Sequence, residues 1–191
     1  MFTIEKLKVE GKMDAHNAAE KMINAQHKKM KFLGSGCYGS VYGAKDSDVV
    51  YKLGDVYDNT AYLSYIKVLA KQKKHNPFTP KVYGVRYIKD RHGDTVFVVA
   101  MEKLAKLPRG MHDVADVFEN ELDNGGYSDS TKDAEKALGI ERKVPKTLAE
   151  AFSILRDAYD EAGGRRDANW DLHSDNFMMR GKQVVCTDPL S

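Results

Sequence analysis

A short polar string constrains this 191-residue chain more than any other feature. It reads Trp-Asp-Leu-His-Ser-Asp-Asn over residues 170–176, and Thr-Asp-Pro follows over 187–189 after a short apolar hairpin. Asp171 thus stands five residues before Asn176, and a second aspartate, Asp188, comes after the hairpin. In such a layout one carboxylate can orient an acceptor hydroxyl, while an amide oxygen and a second carboxylate can hold magnesium on nucleotide phosphates. The string alone is weak evidence for phosphoryl transfer, so the inference depends on residues upstream.

A glycine-rich segment lies far upstream of this string. Gly34, Gly36 and Gly39 match the pattern G-x-G-x-x-G-x-V, with Ser35 inside it and Val41 in its last place. Glycines let backbone N–H groups approach phosphate oxygens, because no Cβ stands in the way. A dinucleotide-binding turn shows similar glycines but needs a helix directly after it. The residues Ser-Val-Tyr follow here, which favours a strand. The prediction is therefore two strands around a phosphate-covering turn, and a glycine-rich hairpin without a ligand is the alternative.

A lysine follows the last of these glycines by 13 residues, at the end of the β-rich run Val49–Val50–Tyr51–Lys52. The run matches the pattern V-A-I-K, whose lysine pairs the α- and β-phosphates. A lone strand lysine is otherwise a solvated edge residue in most sheets. In proteins with this pattern a glutamate from the next helix holds the lysine, but no glutamate occurs between Lys52 and Glu102. Asp55 or Asp58 could substitute, or the clamp could be absent.

Periodicity and turn residues predict the remaining elements. Helices are expected over 14–30 with Asp14 as the N-cap, over 58–74, over 112–122, and from Thr147 to a glycine pair at 163–164; strands are expected over 81–88 and 95–101, and a hairpin over 177–186. The apolar run before Met101 is typical of a buried strand. Met101, Glu102 and Leu104 would then form a hinge whose backbone meets adenine, although an ordinary strand end is also compatible. Ser128, Ser130 and Thr131 lie in a polar loop and are candidate sites of autophosphorylation.

Composition excludes several classes of protein. No apolar run approaches the length that spans a bilayer, and the N-terminal residues lack a signal-peptide core, so a cytoplasmic protein without membrane contact is expected. Cys37 and Cys186 are too few for a disulfide framework, and the six histidines show no paired zinc-ligand spacing. A net charge of +2 gives no reason to expect direct nucleic-acid binding.

Taken together, the strings GSGCYGSV, VVYK, WDLHSDN and the aspartate of TDP resemble the protein-kinase-like superfamily in order and spacing. His173 stands where eukaryotic protein kinases place lysine, which is similar to the aminoglycoside and choline phosphotransferase branch. The string DLHS-x-N and the ending DPLS look most like the early serine/threonine protein kinases of T-seven-like bacteriophages. The resemblance covers roughly residues 31–191.

The resemblance implies an α+β fold of two lobes: an N-terminal helical extension over 1–30, an antiparallel-sheet N-lobe and hinge over 31–104, and a minimal, truncated helical C-lobe over 105–191. It implies ATP and Mg²⁺ as cofactors, Asp171 as catalytic base, and Asn176 and Asp188 as magnesium ligands. Lys52 would pair the phosphates. The other residues expected around ATP are Gly34, Ser35, Gly36, Gly39, Val41, Met101, Glu102 and Leu104. The acceptors would be serine or threonine hydroxyls on host bacterial proteins, including transcription and RNA-processing machinery, in the host cytoplasm.

Departures from the family pattern keep two alternatives open. Trp170 replaces the arginine that precedes the base in protein kinases, and Pro189 follows Asp188 instead of Phe-Gly. His173 motivates a small-molecule phosphotransferase. The missing clamp glutamate and the short C-lobe motivate a pseudokinase-like binding module that sequesters a host protein.

Overall fold

The computed structural model describes residues 3–9, 13–36, 39–124, 136, 138–140 and 144–191. The chain divides into two compact units, one of Met1–Thr60 with Lys81–Lys103 and the other of Ala61–Pro80 with Leu104–Ser191. This division differs from the expected lobe boundary, because residues 61–80 group with the second unit. The predicted α+β class is confirmed. The candidate autophosphorylation sites Ser128, Ser130 and Thr131 lie outside the described residues.

The first unit contains a mixed six-stranded sheet with the order β1-β5-β6-β4-β3-β2. Its strands are β1 (Thr3–Lys8), β2 (Lys31–Gly36), β3 (Gly39–Gly43), β4 (Val49–Asp55), β5 (Val82–Lys89) and β6 (Thr95–Glu102). All neighbours are antiparallel except β1 and β5, which are parallel. The expectation of a purely antiparallel sheet is therefore wrong at this edge, and residues 1–30 hold a strand as well as a helix.

The edge strand β1 could not be predicted from the sequence, because almost none of it is buried. Five of its six residues are exposed, so burial imposes no alternation on its sequence. Its position depends on the backbone of β5, where Gly84 lies opposite Thr3. A Cβ at Gly84 would come within 2.5 Å of Thr3 Oγ1 and 2.9 Å of Thr3 O. The parallel pairing therefore depends on a close approach that only glycine permits.

Helix α1 (Ala15–Gln26) packs on one face of this sheet. The carboxylate of Asp14 accepts the Asn17 N–H at 2.8 Å, which confirms the predicted N-cap. The core on this face is formed by Ala15, Ala19, Ile23, Leu53, Ile88, Val96 and Val98. Ile23 is fully buried, and burial of such a side chain contributes about 1.5–3 kcal/mol. The opposite face of the sheet carries Lys52, as described below.

Asp90 closes the turn between β5 and β6 and is only 3% exposed. Its Oδ1 accepts the N–H groups of His92, Gly93 and Asp94 at 2.8, 3.0 and 3.1 Å, and the N–H of Ala15 in α1 also bonds to the carboxylate. Burial alone would raise the pKa of Asp90. The backbone hydrogen bonds favour the charged form and bring the pKa below its usual value of 3.8.

We expect Asp90→Ala to lower the Tm by several degrees at neutral pH, because it removes the acceptor that joins this turn to α1. The folded pKa lies below the unfolded one. The contribution is therefore complete above the unfolded value of 3.8 and is lost as the pH falls through the lower folded value. Thermal unfolding of wild type and variant from neutral pH to about pH 3 checks this linkage. The exposed neighbour variant Asp94→Ala is the control. A Tm difference that stays constant across this range contradicts the assignment.

The second unit combines helices with a small sheet. The helices are α2 (Thr60–Lys71, whose first residue belongs to the first unit), α3 (Val114–Glu119) and α4 (Lys146–Glu161); a π-helical turn, Asn120–Asn124, follows α3. The sheet has the order β7-β8-β9, with β7 (Ala105–Lys106), β8 (Phe177–Arg180) and β9 (Gln183–Cys186). The predicted hairpin is confirmed, and Gly181 has the positive φ of 62° that its turn requires. The predicted N-cap at Thr147 is wrong, because α4 begins at Lys146 and its N-cap is Pro145.

Three phenylalanine rings pack against one another in the core of this unit. Phe118 of α3 makes edge-to-face contacts with Phe152 of α4 and Phe177 of β8, with centroids 5.0 and 4.9 Å apart. Phe177 directly follows Asn176 in the chain. The core therefore anchors the end of the polar string to two helices.

Candidate active site

The predicted catalytic string lies between α4 and β8 in the second unit and ends in a 3-10 turn, Ser174–Asn176. The Nδ2 of Asn176 donates to the carbonyl oxygen of Asp171 at 2.7 Å. The backbone N–H of Asn176 donates to the carbonyl of His173 at 2.9 Å. These bonds hold the amide with its Oδ1 on the side opposite Asp171 O. Within the described residues no donor reaches that oxygen, so it is available as a ligand atom.

Thr187 joins Asn176 to the segment that carries Asp188. Its N–H and its Oγ1 both donate to the carbonyl oxygen of Asn176, at 2.8 and 2.9 Å. The pair Phe177 and Cys186 begins the hairpin ladder directly beyond this contact. Asn176 directly precedes the hairpin and Asp188 follows it by two residues, so both lie at the same end of the hairpin. The segments of the two predicted metal ligands are therefore joined through the contact between Thr187 and Asn176.

A second pairing, which the sequence did not predict, fixes the backbone of Asp171. Its N–H donates to Pro189 O at 2.9 Å, and Asn169 and Ser191 exchange hydrogen bonds of 2.8 and 3.1 Å. The side chain of Leu190 is 2% exposed between these contacts. Three residues are too short to show a strand pattern, so no sequence signal marked them. Backbone hydrogen bonds thus connect the segments that carry Asp171, Asn176 and Asp188.

His173 lies beside the predicted base. Its Nε2 is 3.4 Å from Asp171 Oδ1 and 3.0 Å from Asn176 Nδ2. A protonated Nε2 can donate to the carboxylate, and an unprotonated one can accept from the amide. Asp171 is half-buried, with its side chain 30% exposed. A carboxylate at this exposure stays accessible to an acceptor hydroxyl.

The environment of Asp188 contains buried tyrosines. Burial, and next the negative charge of Asp188, raise the pKa of Tyr62 well above its usual value. The carboxylate of Asp188 therefore lies close enough to Tyr62 for its charge to act on the phenol.

The donor set at Asn176 and Asp188 fits magnesium on a nucleotide. The described ranges contain no cluster of three or more histidine, cysteine, aspartate or glutamate residues that could hold a metal ion. Mg²⁺ keeps several waters and typically takes one or two carboxylates together with substrate phosphates. One carboxylate and one amide oxygen are therefore sufficient, whereas a closed structural metal centre would need more protein ligands.

The two predicted strands on either side of residues 37–38 are confirmed in the first unit, and those two residues lie outside the described part of the chain. Strands β2 and β3 are antiparallel, with Gly34 opposite Val41, Ser35 opposite Ser40 and Gly36 opposite Gly39. None of these three glycines has a positive φ. Left-handed backbone geometry is therefore not the reason for glycine here.

The three glycines differ in how much free space surrounds them. A Cβ at Gly34 or Gly36 would meet nothing within 4 Å, so both positions face open space that a ligand could enter. A Cβ at Gly39 would come within 2.6 Å of the carbonyl oxygen of Leu53. Gly39 is therefore required by the close approach of β3 to β4, independently of any ligand.

We expect Gly39→Ala to destabilise the protein by about 1–3 kcal/mol, because the clash is with backbone that cannot rotate away. The matched variant Gly36→Ala should change the free energy of unfolding by less than about 0.5 kcal/mol. Urea denaturation of the two variants measures both values. Equal destabilisation by the two substitutions would show that the space beside Gly36 is not open.

Lys52 lies on β4, opposite Val41 on β3 and Val99 on β6. Paired residues share a face of a sheet, so Lys52 and Val41 lie on one face. Asp55 is three residues further along the strand and points to the other face, where its carboxylate contacts His16 Nε2 of α1 at 3.2 Å. Asp55 is therefore not placed to clamp Lys52.

The predicted hinge residues fall at the end of β6 and just after it. Met101 and Glu102 are both 8% exposed. Glu102 Oε1 accepts the N–H of Lys81 at 2.7 Å, and its own N–H donates to Lys81 O at 3.0 Å. The carboxylate of Glu102 thus stabilises the start of β5. Leu104 is the first residue of the second unit after β6.

Comparison with known proteins adds no family assignment. No protein-family model matches the chain, and no curated protein matches it. Among the described helices, none has the length and apolar character needed to cross a membrane. The fold and the site define an α+β protein with a glycine-rich hairpin, a strand lysine and a hydrogen-bonded polar loop.

Proposed function

We propose that the protein is an ATP- and magnesium-dependent serine/threonine protein kinase with a reduced kinase-like fold. The observation that carries the proposal is the loop in which the Asn176 amide is held by Asp171 O while the Asn176 carbonyl is held by Thr187. Phosphoryl transfer depends on positioning and charge neutralisation more than on covalent work by the protein. A binding module has no physical need to retain Lys52, Asp171, Asn176 and Asp188 together.

In the proposed reaction Asp171 orients the acceptor hydroxyl and receives its proton. The new bond joins the hydroxyl oxygen to the γ-phosphorus, the bond from that phosphorus to the oxygen of ADP breaks, and the proton passes from Asp171 to solvent. Magnesium held by Asn176 and Asp188 would neutralise phosphate charge. Lys52 would pair the α- and β-phosphates, and the open space at Gly34 and Gly36 would admit the phosphates to backbone N–H groups.

The acceptors we propose are serine and threonine hydroxyls of host bacterial proteins, with the protein acting in the host cytoplasm. The resemblance to phage kinases supports this choice, and His173 beside Asp171 supports the small-molecule phosphotransferase as the second candidate. The two differ in acceptor and share Asp171, Asn176 and Asp188.

The test is transfer of labelled phosphate from ATP with magnesium to the protein itself and to a bacterial lysate. We expect labelled protein bands that contain phosphoserine or phosphothreonine and that disappear when magnesium is chelated. An acceptor panel with choline and an aminoglycoside is run in parallel. Label on a small acceptor and on no protein would replace the leading proposal with the second candidate. ATP binding without any transfer would instead favour a pseudokinase-like binding module.

A further inference from the structure

A cavity of about 620 Å³ opens beside Asp171, entirely within the second unit. Its walls come from three parts of that unit: Glu119 ends α3, Tyr159 belongs to α4, and Arg165 follows α4. Asn169 and the first four residues of the catalytic string, 170–173, complete the lining. The predicted base therefore lines a space large enough for part of an acceptor.

Two side chains of opposite charge line this cavity. Arg165 and Glu119 are exposed, and neither forms a hydrogen bond or ion pair in the part of the chain that the structure describes. A nearby pair behaves differently, since Arg156 of α4 bonds Glu121 at 3.0 Å. Unpaired guanidinium and carboxylate groups beside a catalytic carboxylate can each take a charged group of a substrate without first breaking an internal contact.

Two aromatic side chains, those of Tyr159 and Trp170, are among the residues that line the cavity. The rings of Tyr159 and Trp170 stack with centroids 4.6 Å apart and an interplanar angle of 11°. Trp170 is half-buried, so part of its surface borders the cavity. Rigid aromatic surfaces of this kind support an extended peptide at low entropic cost.

The volume of the cavity limits how many residues separate the charged side chains of a bound peptide from its acceptor hydroxyl. A sphere of 620 Å³ is roughly 10–11 Å across, and an extended chain advances about 3.3–3.6 Å per residue. It therefore holds about three residues, including the one whose hydroxyl meets Asp171.

We propose that this cavity is the acceptor site and that it selects a serine or threonine with one acidic and one basic residue within about three positions. Arg165 binds the acidic side chain, where its planar fork can hold a carboxylate with two hydrogen bonds. Glu119 binds the basic side chain. The inference rests on the proposed kinase activity and assigns the substrate class for that same site.

The test compares serine peptides whose flanking residues are one acid and one base, two acids, two bases, or alanines only. The variants are Arg165→Glu and Glu119→Lys, with Arg166→Glu and Asp116→Lys as matched controls, because these exposed neighbours do not line the cavity. Phosphate transfer is measured as kcat/KM. Peptide binding is measured separately by the fluorescence of Trp170, which is the only tryptophan of the chain and borders the cavity.

Wild type should prefer the peptide with one acid and one base. Arg165→Glu should reduce kcat/KM and binding about tenfold for acid-containing peptides, because a like charge replaces an attractive one. Glu119→Lys should do the same for base-containing peptides, and the controls should resemble wild type. Transfer that occurs with the same charge preference in both variants overturns the acceptor site but leaves the kinase proposal intact. Peptides that quench Trp170 with the expected preference but never receive phosphate support the recognition surface and overturn the kinase function.

Discussion

Replacing Asp171 with asparagine should lower kcat for phosphate transfer by a factor of about 10² to 10⁴, the usual contribution of a positioned general base. The amide cannot accept the hydroxyl proton as a carboxylate does. The loop should keep its geometry, because Asp171 joins it through backbone atoms: its N–H bonds Pro189 O, and its carbonyl accepts from Asn176. Among the described residues, the side-chain contact that changes is the one with His173.

Two measurements on this variant separate catalysis from binding. Labelled transfer gives kcat, and titration with ATP gives the nucleotide affinity, which should stay within about twofold of wild type because Asp171 acts on the acceptor. The control is Asp175→Asn, an exposed aspartate four residues away in the same loop. Loss of ATP binding in parallel with transfer would argue that Asp171 supports the site structurally.

Asp188→Asn should lower phosphate transfer about as much as Asp171→Asn does, because it weakens the binding of magnesium. The substitution removes the charged ligand that we assign to magnesium, and metal stabilisation of the transferring phosphoryl group is worth several kcal/mol. We expect transfer at ordinary magnesium concentrations to fall about a thousandfold and to recover partly when magnesium is raised.

The discriminating measurement for Asp188→Asn is the magnesium dependence of ATP affinity. Wild type should bind ATP more tightly with magnesium than with a chelator, and the variant should lose most of that difference. Thermal unfolding shows whether the variant is folded, since the charge of Asp188 lies close to the buried Tyr62. An unchanged magnesium dependence in a folded variant would remove Asp188 from the metal site.

Some elements of the fold and the site followed from local sequence patterns. The hairpin of β2 and β3 has glycines at the turn and apolar strand residues beside it. Gly181 adopts the positive φ that its turn requires, and the polar Asp14 side chain caps the first turn of α1. Each of these features depends on residues within a few positions of one another, so sequence alone could predict them.

Other features depend on partners that are distant in the sequence. The parallel edge strand β1 is held by β5, 81 residues away at the pair Thr3 and Gly84, and its exposed residues carry no burial pattern. The sequence offered Asp55 as a clamp for Lys52. Lys52 and Asp55 are three residues apart on β4 and therefore lie on opposite faces of the sheet, so Asp55 contacts His16 instead. Neither the pairing of β1 with β5 nor the contact of Asp55 with His16 can be predicted from the residues next to it in the sequence.

The amino-acid sequence by itself determined the chemistry of the candidate site, since Asp171, Asn176, Asp188, Lys52 and the glycines could be named from residue type and spacing. Tertiary structure alone decided how the first three are held, through the bonds from Thr187 to Asn176 and from Asp171 to Pro189. It also brought Glu119 and Arg165 to one cavity. The physical reason is range: side-chain chemistry and turn geometry are local, whereas hydrogen bonds between segments and the walls of a cavity exist only once the core has packed.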